Sequence, residues 1–137
     1  MTRKFAVIIG LIYLIAGGLG FVPGLVSPHA GDPSLSVEIS HGRMLGLFPV
    51  NAVHNVVHIV IGLWGLTASK EWGSAVIFSR GLAILYGVLA VLGLIPATYT
   101  LFGLAPIHGM DVLLHAGTAA IAAYFGWIAG GIAVKRT

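Results

Sequence analysis

The sequence predicts an all-α integral membrane protein, a four-helix bundle built from two fused helical hairpins. Three observations carry this expectation: an apolar composition, four long uncharged stretches, and an internal repeat. Of 137 residues, 58% are hydrophobic and 8% are charged, and the mean hydropathy is +1.01. A soluble domain is about one-quarter charged, so a chain this poor in charge cannot cover a water-facing surface and takes the bilayer as its solvent. There is room for one compact unit, a single transmembrane domain over 1–137. With no cysteine, disulfides, thiolate metal sites, iron–sulfur clusters and cysteine nucleophiles are excluded, and any metal must be held by nitrogen and oxygen. Seven Lys and Arg are too few and too scattered for a nucleic-acid-binding face.

The four spans are expected at about 5–26, 52–68, 75–95 and 110–134. Each approaches the roughly 20 helical residues that cross a hydrocarbon core of about 30 Å, the second only just. The first resembles a secretory signal, since Arg3 and Lys4 precede an apolar run, but the third span repeats its pattern and argues for a retained helix. In a four-pass arrangement Arg3, Lys4, Lys70, Arg80, Lys135 and Arg136 share one side. The positive-inside rule then puts both termini in the cytoplasm. Arg80, within the third stretch, is expected to snorkel to that interface.

The repeat emerges when GLFPVNAVHNVVH (46–58) is set above GLAPIHGMDVLLH (103–115), a constant offset of 57 between 46 and 103. Val50 then faces Ile107, Asn51 faces His108, His54 faces Asp111, and His58 faces His115. The first and third spans align at an offset of 73, Tyr13, Gly20 and Pro23 becoming Tyr86, Gly93 and Pro96. The longer first outer loop accounts for the difference between the offsets. Residues 5–68 and 75–134 are thus expected to be two hairpins related by a pseudo-twofold axis along the membrane normal.

Helical spacing assigns the inward faces. On the second helix Asn51, His54, Asn55, His58, Gly62 and Gly65 form one stripe, and on the fourth His108, Asp111, His115, Thr118, Ala122 and Gly126 form another. The first and third helices carry Gly10, Tyr13, Gly17, Gly20, Gly24 and Ala83, Tyr86, Ala90, Gly93, Ala97. Small residues at this spacing let backbones approach in lipid, within the chain or in a homo-oligomer. Tyr13 and Tyr86 are expected to be core tyrosines, bonded to a carbonyl or to each other.

Four ionisable groups then converge: His54 and His58 from the second helix, Asp111 and His115 from the fourth. Each pair is spaced i, i+4 and lies on one face. Three imidazoles and a carboxylate make the ligand set of a zinc site, or part of an iron or copper site, and polar groups at membrane depth are costly enough that they are usually functional. Two other readings compete. Asn51 and Asp111 can serve as helix-start residues while the histidines bond across the bundle, a structural staple in a non-catalytic accessory protein. Alternatively His58 and His115 are the axial ligands of a b-type haem, which leaves His54 and Asp111 without a role. His108 and His41 are optional further ligands, His41 if the outer loop 27–50 folds over the cluster as a lid. No nucleophile triad, phosphate-binding loop or paired carboxylates indicate catalysis.

NAVHNVVHIVIGLWGL (51–66), preceded by LGLFPV and matched later by HGMDVLLH, resembles a family of small four-helix bacterial membrane proteins catalogued as a domain of unknown function. The resemblance spans nearly the whole chain, including GFVPGL at the end of the first helix. It implies a bacterial inner-membrane, multi-pass protein and supplies no activity, substrate or cofactor. Asn51, His54, Asn55, His58, Asp111 and His115 match the family pattern, whereas His108 stands where the family often has Asn.

Overall fold

The computed structural model describes residues 1–130. Four helices dominate: α1 (Thr2–Leu19), α2 (Ala52–Ala68), α3 (Trp72–Gly93) and α4 (Met110–Ala123), which runs on as a π-helical segment, Tyr124–Ala129. α1, α3 and the continuous Met110–Ala129 helix are long and apolar enough to cross a membrane. α2, with 17 residues, is shorter. Their outward faces carry Ile8, Ile15, Val60, Ile77, Ile84 and Leu113, each at least half exposed, as a hydrocarbon-facing surface requires.

The helix bounds depart from the sequence expectation at informative places. α1 ends at Leu19 and not near residue 26, because Pro23 disfavours a helical residue before it and Gly20 is held by the Asn55 side chain, which donates to its carbonyl at 2.8 Å. Gly24 therefore lies in a turn with φ +89° and not on a helical stripe. The end of the fourth span, with Lys135 and Arg136, lies outside the described residues. The loop expected over 27–50 contains a small antiparallel sheet in the order β1 (Val26–Ser27), β2 (Gly42–Met44), β3 (Phe48–Val50). Strands of two and three residues are too short to leave an alternation that could be read.

α1 packs chiefly on α2, and α3 chiefly on α4. The α1–α2 seam is built from glycines: a Cβ on Gly10 would stand 2.9 Å from the Gly62 carbonyl oxygen, and one on Gly17 2.6 Å from that of Asn55. At one end of the helices Phe5 stacks on Phe125 with ring centroids 4.5 Å apart, and Arg3 Nε donates to the Ser69 carbonyl at 2.7 Å. Arg3, Lys4 and Lys70 gather there around one shallow cleft. Arg80 lies against the π-helical segment. Its Nε donates to the Gly126 carbonyl at 2.8 Å, and its guanidinium sits 5.7 Å from the Trp127 ring centre.

The opposite end carries the sheet, with Asp32, Glu38 and Arg43 around it. Arg43 makes a forked bond to Asp32, at 2.7 Å from Nη2 and 3.1 Å from Nε. Burial raises the Asp32 carboxyl, but the bonds and charge of Arg43 outweigh this and hold it below the ordinary carboxylate range.

Candidate metal centre

The site is positioned from its two helix starts. Asn51 is the N-cap of α2, its side-chain oxygen accepting from the His54 backbone N–H at 3.0 Å. Its Nδ2 donates to the Val37 carbonyl at 3.0 Å and the Leu104 carbonyl at 2.8 Å. One side chain thus starts the helix and ties both outer loops to it. α4 begins after Gly109, whose backbone (φ +64°, ψ −130°) is one that glycine alone adopts readily. Asp111 then falls in the first turn of α4.

One turn along α2, His54 meets the other hairpin. Its Nδ1 lies 2.9 Å from the Pro106 carbonyl, which can only accept, so Nδ1 carries the proton and Nε2 the lone pair. That Nε2 is 3.1 Å from His58 Nε2, which must therefore donate. His54 Nδ1 is also 3.6 Å from Asp111 Oδ2, and the His54 and His115 rings lie 6.4 Å apart at 25°. His54, Asp111 and His115 are 5%, 3% and 3% exposed. One ligand atom from each lies within 4.8 Å of the others, which makes them a group able to hold a metal ion.

Two buried atoms of this group have no hydrogen-bond partner among the described residues: Asp111 Oδ2 and His115 Nδ1. A buried polar atom without a bond costs about 1–3 kcal/mol, so the arrangement is incomplete as a hydrogen-bonded network. Donors of one carboxylate oxygen and imidazole nitrogens suit zinc, iron or copper better than magnesium or calcium. The Pro106 carbonyl is the kind of outer partner that orients a metal-bound histidine.

The other sequence-derived candidates are distributed around this centre. His58 stands beyond the three-residue set, joined to it through His54, with its ring 4.9 Å from that of Tyr13. The Tyr13 hydroxyl pairs with the Thr118 hydroxyl at 3.1 Å, its ring 5.3 Å from that of Tyr86, and Tyr86 lies 5.0 Å from the His115 ring. Asn55 reaches α1 and not the metal group. His41 pairs with Glu38 at 2.7 Å on the outer face, and His108 packs on Tyr99 with ring centres 5.1 Å apart. Burial, then the nearby charge of Arg43, lowers the His108 pKa against the opposing pull of Asp32.

Sequence reasoning missed Pro106. Its signal was present, because the Pro at 106 repeats the Pro at 49, but a carbonyl contact leaves no trace in residue type.

Fold and site together define a small helical membrane protein with a buried His/Asp/His group. Residues 3–128 match the model of a family described as Domain of unknown function (DUF4383), and the chain belongs to that family. No curated protein and no solved structure matches.

Proposed function

We propose that this protein binds one transition-metal ion, zinc, iron or copper, through His54, Asp111 and His115, in a structural or metal-handling site and not a catalytic one. The observation that carries the reading is the pair of unpartnered atoms, Asp111 Oδ2 and His115 Nδ1, within a buried three-residue group. His58 becomes a further ligand when its proton shifts from Nε2 to Nδ1, its Nε2 being 3.1 Å from that of His54. The staple reading accounts well for Asn51, whose donors and acceptor are used, but leaves those two atoms unexplained. The haem reading is disfavoured because the His54 ring lies 4.4 Å from His58 and 6.4 Å from His115, in the space a macrocycle held by those two would need.

All four helices are read as spans, α2 being about 26 Å long at 1.5 Å per residue, in two fused hairpins. The paired Tyr13–His58 and Tyr86–His115 contacts, which the offsets 73 and 57 interconvert, support the duplication. Arg3, Lys4 and Lys70 at one end support cytoplasmic termini in a bacterial inner membrane, and a reporter fused at Thr137 that proves extracytoplasmic would overturn that orientation.

Elemental analysis and a visible spectrum of the purified chain test the metal. Close to one ion per chain is expected, lost in Asp111→Asn and His115→Ala, with no Soret band. A metal-free chain that stays folded in chelator would sink the proposal.

A further inference from the structure

Two cavities flank the His/Asp group. The larger, about 300 Å³, lies between α1 and α4, and the smaller, about 130 Å³, between α2 and α3. The two sequence offsets convert one wall into the other: Tyr13 into Tyr86, Ala16 into Leu89, Val50 into Ile107, and, from the second copy to the first, Leu114 into Val57. They differ most tellingly in bulk. Ala16 in the larger cavity stands where Leu89 fills the smaller, and Thr118 where Ile61 belongs to the packed core. At the outer end the difference reverses, Phe48 against Ala105, so the added space lies deep, beside Ala16 and Thr118.

Access to the larger cavity is from the side. Ile12 and Leu114 on its wall are 52% and 50% exposed on the apolar helix surface, and above the Phe5–Phe125 stack the side-chain bond between α1 and α4 is that of Tyr13 to Thr118. Toward the outer aqueous side its lining is apolar, Met44, Phe48 and Val50 of the sheet. An occupant entering by this side comes through hydrocarbon, which disfavours strongly hydrated solutes.

The floor then selects the chemistry. Asp111 and His115 stand on the cavity wall, and Asp111 Oδ2 and His115 Nδ1, buried just behind it, have no hydrogen-bond partner among the described residues. A single hydroxyl can pair with both, donating to one and accepting from the other, whereas a carbonyl only accepts. An apolar cavity of about 150 Å³ holds benzene, so twice that volume fits one ring with a short substituent.

We propose that the larger cavity binds a membrane-dissolved phenol, or a one-ring alcohol of that size, admitted between α1 and α4, with its hydroxyl between Asp111 and His115. The inference builds on the metal reading in sharing those two residues: with an ion bound there the hydroxyl oxygen is its further ligand, and without one the hydroxyl pairs with the two side chains directly.

The test is a ¹⁹F NMR titration of the purified full-length chain with 4-(trifluoromethyl)phenol and with its hydroxyl-free counterpart trifluoromethylbenzene, with metal content measured on the same samples. The phenol is expected to bind about tenfold more tightly, the worth of one buried hydrogen bond. Ala16→Leu, which copies the smaller cavity, should weaken phenol binding at least about tenfold while keeping the metal content. Thr118→Ile serves the same purpose should Ala16→Leu fail to fold. Equal binding of the two probes, or by wild type and Ala16→Leu, overturns the proposal whatever the metal content. Selective phenol binding by a chain that proves metal-free overturns only the metal reading.

Discussion

α1 meets its two neighbours in opposite ways. Toward α2 it is dry and tight, with Gly10 and Gly17 set against Gly62, Gly65 and the Asn55 backbone so closely that no Cβ fits. Toward α4 it presents Ile12, Tyr13 and Ala16 to a cavity of about 300 Å³ that reaches the buried polar group. In lipid the hydrophobic effect does not pull helices together, so close van der Waals packing must do so. The glycine seam supplies that packing on one side of α1, and this leaves the other side free to be loosely filled. Stability and site are separated across the width of a single helix.

The strongest way to break the comparison is to add bulk to the seam. Gly17→Leu places side-chain atoms where a Cβ alone would be 2.6 Å from the Asn55 carbonyl and 2.8 Å from Ile59, both on the partner helix. Overpacking of this kind costs about 1–3 kcal/mol and sometimes more, so unfolding in mixed micelles should shift by at least that amount. Its neighbour Gly18 has nothing within 4 Å, and Gly18→Leu should stay within about 0.5 kcal/mol of wild type. Equal effects at 17 and 18 would mean that the seam does not hold α1.

A somewhat smaller effect is expected from Asn51→Ala, which tests how the open side is closed from above. The change removes the cap of α2 and leaves the Val37 and Leu104 carbonyls without their donor. Loss of the cap alone costs about 1 kcal/mol, and buried carbonyls left unpaired add to it. Hydrogen exchange should speed up in residues 36–39 and 101–105 and remain slow in the α1–α2 seam. Faster exchange in the seam instead would show that the two sides are not independent.

The seam was legible because it needs only residue type and spacing: Gly10 and Gly17 repeat at i, i+7, and Gly62 and Gly65 continue the α2 stripe. Of the four candidate ligands the structure groups His54, Asp111 and His115 and sets His58 beyond them, a division that the sequence does not carry. Asn51, His54, Asn55 and His58 share one stripe, and helical spacing cannot say which neighbour each meets. Helix tilt and loop placement decide that Asn51 holds carbonyls of both outer loops, Asn55 the end of α1, and His54 the carbonyl of Pro106. Backbone partners such as Pro106 are invisible to any rule based on side chains. The π-helical segment is illegible for a related reason, since an i→i+5 turn has no composition of its own.

The smallest effect lies on the outer face, away from both seams. The Asp32 carboxyl sits below the ordinary range because Arg43 outweighs its burial, and a carboxylate depressed in the folded state stabilises it above the unfolded pKa of about 3.9. That contribution is constant at neutral pH and is lost as the pH falls below about 4 through the folded value. It should not exceed about 1 kcal/mol, as for other solvent-screened pairs. His29, 3.5 Å from Asp32, and His108 act on the same carboxylate, so the informative comparison is with Asp32→Asn and not with pH alone. Wild type should lose stability relative to Asp32→Asn between pH 5 and 3, while metal content and phenol binding at pH 7 stay the same in both. A change in either at pH 7 would mean that the sheet carries strain from this ion pair down to Met44 and Phe48 on the cavity wall, and the outer face would then belong with the open side of α1.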